Sequence, residues 1–150
     1  LGKRLVIAGD ASDTDDYVAK LKQAADGDPD IVFTGFVSGD ELCEIYSNAY
    51  AVCLPSDIEG MAMGLLEALA YGNAVLCSDI PENTSVAGEN AVYFAKGDRA
   101  DLAKKLEYMC GAGRETVRRL KAASENYIRE KYDWEKIADM TCEVYKKLAK

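Results

Sequence analysis

Histidine is absent from this chain of 150 residues, and basic side chains are outnumbered, 18 Lys and Arg against 26 Asp and Glu. Each shortage excludes something. Without histidine, a structural zinc site would need four clustered cysteine or acidic ligands, and no spacing in the chain offers them. A formal net charge of −8 argues against nucleic acid as a partner, because a phosphate backbone calls for clustered Lys and Arg. No apolar run approaches the ~18 residues of a membrane span. The five cysteines (Cys43, Cys53, Cys77, Cys110 and Cys142) contain no Cys-x-x-Cys pair. Cys53 and Cys77 lie in apolar, strand-like runs that suit buried free thiols. An odd count without a leader peptide points to a reducing compartment, so a cytoplasmic location is expected. Internal repeats, low-complexity tracts and linkers are missing too. What remains is 49% apolar and 29% charged, the make-up of an ordinary globular protein, long enough for a single domain over 1–150.

The patterning alternates strand and helix. Arg4–Gly9 is a continuous apolar run suited to burial on both faces of a parallel sheet. Val18, Leu21, Ala24 and Ala25 recur at helical spacing over Asp13–Ala25, and the Gly27-Asp28-Pro29 turn ends that helix. Ile31–Thr34 reads as a second strand. Ser38-Gly39-Asp40-Glu41 has the capping-box pattern and opens a helix with Leu42, Ile45 and Tyr46 on one face. Ala51–Leu54, Ala74–Cys77 and Ala91–Phe94 read as three further strands, with one helix between the first two of them. From Asp98 the chain is a helical tail to Lys150, with Asp98 and Asp133 as caps and a break at Gly111-Ala112-Gly113. Trp134 and Tyr145 read as packing residues of that tail, and Arg114, Arg118, Arg119 and Lys121 as a solvated helix face. Strands alternating with helices predict an α/β fold, a Rossmann-like doubly wound parallel sheet. In such sheets ligands bind beyond the carboxyl ends of the strands, where the loops at Gly9, Gly35 and Pro55 fall.

The third of those loops leads into the most informative segment, Pro55-Ser-Asp-Ile-Glu-Gly-Met-Ala-Met-Gly-Leu-Leu-Glu-Ala-Leu-Ala-Tyr-Gly72. Glu59 and Glu67 are eight positions apart, a little over two helical turns at about 3.6 residues per turn. One carboxylate stands at the mouth of a short helix and the other two turns deeper. On spacing alone, two glutamates at a helix are commonly just solvated charge. A helix N-terminus, however, attracts anions through its unpaired N–H groups and its dipole. Carboxylates flanking such a site suit a ligand with phosphate in its middle and hydroxyls on either side, which is the shape of a nucleotide sugar.

In full, the segment resembles the retaining glycosyltransferases of family 4, the group 1 family, whose signature is Pro-Ser-x-x-Glu-Gly-Phe-Gly-x-x-x-x-Glu-Ala-x-x-x-Gly-x-Pro-Val. Pro55, Ser56, Glu59, Gly60, Glu67, Ala68, Gly72 and Val75 match at the right spacing. The strand Leu5–Asp10, the strand Ile31–Val37 and the Tyr132-Asp-Trp-Glu-Lys-Ile-Ala138 … Tyr145 helix resemble the family's elements in the same order. The resemblance implies the C-terminal half of a two-domain GT-B enzyme. Glu67 would hold the ribose hydroxyls of the donor, and Glu59 would face the sugar near its anomeric centre. Backbone around Gly60, Met61, Ala62 and Met63 would lie against the sugar and distal phosphate. Gly35, Phe36 and Val37 would border the base. Asp10, Ser12 and Asp13 read as a polar loop at the ligand edge that caps the next helix, with Gly9 and Asp10 placed to line the donor pocket.

The same resemblance implies a nucleoside diphosphate sugar as substrate, no cofactor and no bound metal. Its implied partner is an upstream Rossmann-like acceptor domain, which in this family often carries a catalytic histidine, and the phosphate-binding Arg and Lys are expected after a first strand of this same domain that would lie upstream of Leu1. The intact enzyme would have scope for peripheral membrane association, whereas the 150-residue chain alone would not turn over. Three positions depart from the pattern. Met61-Ala62 replaces Phe-Gly, which matters if position 62 needs positive φ or a close backbone approach, and Ala74 replaces Pro. Three rival readings stay open. A dinucleotide dehydrogenase domain is disfavoured, because Gly9-Asp-Ala-Ser-Asp-Thr14 stands where Gly-x-Gly-x-x-Gly would be needed. The others are a sugar-nucleotide epimerase half and a catalytically silent module that binds a nucleotide sugar or another protein.

Overall fold

A computed structural model describes residues 2–11 and 14–148. The expected helix start at Asp13, the Ser12 and Asp13 members of the polar loop, and the last two residues of the tail lie outside them. The described chain has a Rossmann-like α/β architecture of parallel strands with flanking helices and a helical C-terminal tail. It divides into two compact units, Leu1–Ile45 and Tyr46–Lys150.

In the first unit, β1 (Leu5–Ala8) pairs in parallel with β2 (Ile31–Gly35), and α1 (Asp15–Ala25) connects them. The helix ends where Asp26 turns left-handed at φ 46° and Gly27 follows at 71°, the turn expected from Gly27-Asp28-Pro29. Burial on both faces of β1 is not found. Leu5 is 50% exposed and Val6 43%, and no described residue of this unit is buried. The reason is the size of the ladder: a two-stranded sheet has too few neighbours to cover two apolar faces.

The helix α2 (Gly39–Asn48) begins in the first unit and ends in the second. The second unit then continues with β3 (Val52–Leu54), α3 (Met63–Ala70), β4 (Val75–Ser78), α4 (Pro81–Ala87), β5 (Ala91–Phe94), α5 (Arg99–Cys110), α6 (Arg114–Lys131) and α7 (Trp134–Leu148). Its strands run parallel in the order β3-β4-β5. Strand periodicity explains the core. Val52, Leu54, Val75, Cys77, Ala91 and Tyr93 point to one apolar cluster, which they share with Leu65, Ala68 and Leu69 of α3, Val86 and Ala87 of α4 and Ile128 of α6. The alternate residues Cys53, Leu76, Val92 and Phe94 point to a second cluster, with Met109 of α5 and Val117 and Leu120 of α6. Successive residues of a strand face opposite sides, so this sheet carries helices on both faces, and β4 is buried along its whole length.

Asp98 caps α5 by accepting from the amides of Ala100 and Asp101, and Asp133 accepts from Glu135 and Lys136 at the start of α7, as the sequence predicts. One helix is unforeseen: α4. Its signal is Pro81 in the first helical turn with Glu82 beside it, the position where a missing N–H costs nothing. Two further expectations are corrected. Trp134 and Tyr145 are 78% and 67% exposed rather than packed, because α7 has no covered face: every residue from Trp134 to Leu148 is exposed. Lys121 is not simply solvated; its Nζ donates to the carbonyl of Ala49, just past the end of α2, where a cation suits the negative helix terminus. Arg118 does lie on the solvated face, in an exposed ion pair with Glu115.

Candidate functional site

The loop Pro55–Ala62 leaves the carboxyl end of β3 and becomes α3. Ala62 is the residue before the helix, and its carbonyl accepts from Leu65 and Leu66. Its φ is −71°, and its side chain is buried in the first cluster. Alanine therefore costs nothing in backbone strain here, and its methyl group packs inward. Met61 and Met63 on either side are exposed, so the backbone of the helix mouth lies between two mobile, polarisable side chains. Gly60 is exposed as well, with open space where a Cβ would be.

Both glutamates are held by a hydroxyl. Ser56 Oγ donates to Glu59 Oε1 at 2.6 Å. Tyr46, at the end of α2, donates from its hydroxyl to Glu67 Oε2 at 3.2 Å and stacks on Tyr71 at 5.4 Å between ring centroids. Burial, reinforced by the Glu67 charge and hydrogen bond, pushes the Tyr46 hydroxyl up to about 12. Tyr46 therefore stays a neutral donor to that carboxylate. The loop itself is tied to the next strand, since Ser78 Oγ donates to the Ser56 carbonyl at 2.5 Å. A cavity of about 310 Å³ opens beside it, lined by Asp57 and Ile58 of the loop, Asp79, Ile80, Pro81 and Glu82 beyond β4, and Lys96 beyond β5. All of it lies at the carboxyl edge of the three strands.

The remaining expected residues belong to the first unit. Gly9 and Gly35 meet there: the Gly9 amide donates to the Gly35 carbonyl at 2.9 Å, with φ of 130° and 69°. Both values belong to glycine, and they bring the ends of β1 and β2 together without side chains. Phe36 follows and is 77% exposed, with Val37 half-buried beyond it. Sequence reasoning missed the Tyr46–Glu67 and Ser78–Ser56 pairs, because contacts between distant positions leave no periodic trace. Among the described residues, no three His, Cys, Asp or Glu side chains gather as a metal site, and no helix is long and apolar enough to cross a membrane.

Several groups desolvated by burial make the second unit sensitive to alkali. Burial raises Cys53 to about 11 and Cys77 to about 12, and it pushes the Tyr93 hydroxyl up as well. These protons are held more tightly in the folded state than in the unfolded chain. Stability is thus complete below the ordinary values of 9.0 for a thiol and 10.0 for a phenol and is lost as pH rises toward about 12. Urea denaturation midpoints should be flat from neutral pH to about 8.5 and fall steeply above it, and Cys77→Ala should reduce that slope. A midpoint indifferent to pH between 9 and 12 would show the thiols to be solvated.

Residues 2–112 match the family described as Glycosyl transferases group 1. An uncharacterised glycosyltransferase of Methanocaldococcus jannaschii is 31% identical over 147 residues, 95% of this chain and 37% of the relative. Among solved structures, the sucrose-phosphate synthase from Thermosynechococcus elongatus superposes with a TM-score of 0.83 at 22% identity, over 97% of this chain and 38% of the other. The Anabaena protein HepE, solved in complex with UDP, gives 0.86 at 16% identity, over 97% and 41%. The chain thus spans about two fifths of the length of each of these three proteins.

Proposed function

The chain belongs to the group 1 glycosyltransferases, and on that premise we propose that it is the donor-binding domain of a retaining enzyme. That enzyme moves a hexose-type sugar from a nucleoside diphosphate to an acceptor hydroxyl. The observation that carries the proposal is the α3 unit, with Glu59 at its mouth held by Ser56 of the same loop and Glu67 two turns deeper held by the Tyr46 hydroxyl from α2. Glu67 takes the ribose hydroxyls, and Glu59 faces the sugar and stabilises positive charge at the anomeric carbon. The backbone of Gly60, Met61, Ala62 and Met63 lies along the sugar and distal phosphate, where the helix N-terminus favours the anion. Gly9 lines the donor pocket, and Gly35, Phe36 and Val37 border the base. Exposure of Phe36 and the side-chain-free meeting of Gly9 and Gly35 support this assignment, as does the UDP bound to the Anabaena neighbour.

The reaction needs the diphosphate leaving group stabilised and the sugar held, work done by oriented N–H groups and carboxylates without a metal or cofactor. An upstream Rossmann-like domain supplies the acceptor site. The apolar stripe of Trp134, Ile137, Val144 and Leu148 on α7 and the exposed faces of β1 are surfaces such a domain would cover. Because transfer requires both reactants to be held together, these 150 residues alone do not catalyse it. A cytoplasmic location, with scope for peripheral membrane association of the intact enzyme, belongs to the same reading; no disulfide joins the five cysteines. The φ of Ala62 removes the conformational ground for a silent module. The test is the anomeric configuration of the product of the intact enzyme, followed by proton NMR with and without a chelator. The donor configuration should be kept and the rate unchanged by chelation; inversion or metal dependence would contradict the proposal.

A further inference from the structure

Asn83 is fully buried in the first turn of α4, and its Oδ1 has no hydrogen-bond partner. Leaving a buried polar atom without a protein partner costs about 1–3 kcal/mol. What the side chain does is specific. Its Nδ2 donates to the Ser78 carbonyl at 3.1 Å and to Ser78 Oγ at 3.2 Å. Turning the amide over would set Oδ1 against that carbonyl, so the orientation is fixed. Ser78, equally buried, has one hydroxyl proton, and it goes to the Ser56 carbonyl. Ser56 in turn gives its own proton to Glu59. The result is a directed chain, Asn83 to Ser78 to Ser56 to Glu59, running from the core to a carboxylate on an otherwise irregular loop.

We propose that Ser78 and Asn83 are positioning residues that set the rotamer of Glu59 through Ser56. The inference rests on the reading of Glu59 as the sugar-facing carboxylate. The chain is not a proton relay, because it passes through the Ser56 backbone, where the carbonyl accepts and the hydroxyl donates separately. Its effect is geometric. A glutamate side chain free to rotate loses conformational entropy each time it must face the sugar, and misplacing a catalytic group by about 1 Å can cost 10²-fold in rate.

The test has two arms. In this chain, three-bond NMR couplings about χ1 of Glu59 should report a single rotamer. They should average in Ser56→Ala and in Ser78→Ala, while Glu67 couplings stay unchanged as an internal control. Ser56→Thr, which keeps the hydroxyl, should restore the single rotamer. In the intact transferase, Ser78→Ala should lower kcat about tenfold with donor KM within about twofold. The Ser56→Ala/Ser78→Ala pair should be no worse than Ser56→Ala alone, since both cut the same chain. Glu59 couplings unmoved by Ser78→Ala, or additive losses in the double variant, would overturn the positioning role. Averaged couplings together with an undiminished Glu59→Gln enzyme would leave the positioning intact and defeat the reading of Glu59. Asn83→Ala should average the Glu59 couplings in the same way; should it fail to fold, Ser78→Ala carries the test.

Discussion

Glu59→Gln in the intact transferase should lower kcat by about 10²–10³-fold while leaving nucleotide affinity within about twofold. Gln preserves the size of the side chain and can still accept from Ser56, so the loop keeps its shape; what disappears is the negative charge. A charge matters where the reacting sugar becomes cationic, and only there, which is why the loss should fall on kcat rather than on binding. Transfer and donor hydrolysis should fall together. Glu67→Ala should do the opposite, weakening the nucleotide by about 10–100-fold, the loss expected for charge-assisted hydrogen bonds to hydroxyls. Steady-state kinetics with nucleotide inhibition constants separates the two. A Glu59→Gln enzyme with unaltered kcat would remove that residue from the chemistry.

Leu69→Ala should be the most damaging single change to the fold. Leu69 is fully buried in the cluster that joins α3 to β4, α4 and α6. Truncating such a leucine costs about 2–5 kcal/mol, a large part of the ~5–15 kcal/mol that holds a domain together. For a chain of this length the melting temperature should drop on the order of 10 °C. Hydrogen exchange would locate the loss, with amides of β4 accelerating together. Leu5→Ala in β1, half exposed, should cost less than about 1 kcal/mol. Equal effects of the two changes would contradict the assignment of the core to the second unit.

The contrast between those leucines also marks where the sequence was legible. Strand and helix positions followed from periodicity, and the caps at Asp98 and Asp133 from local chemistry within three residues. The segment from Pro55 to Gly72 identified itself because its residues act together over a short stretch. Burial of β1 was misjudged, since an apolar run reveals its preference for cover but not whether neighbours supply it. Trp134 and Tyr145 were misjudged for the same reason. The short helix α4 escaped because seven residues carry barely two turns of pattern, leaving Pro81 as its main sign. The Tyr46–Glu67 and Asn83–Ser78–Ser56 connections were not legible at all. They depend on which side chains meet once the sheet has closed.

The most direct test of the central claim is a protein-observed NMR titration of this chain with UDP, GDP and ADP, repeated on Glu67→Ala. The account predicts shifts at Gly35, at Met61–Met63 and at Glu67, ordered by preference among the three bases and weakened by the substitution. Shifts of equal strength in Glu67→Ala, or shifts that bypass the Glu59–Glu67 segment, would contradict it.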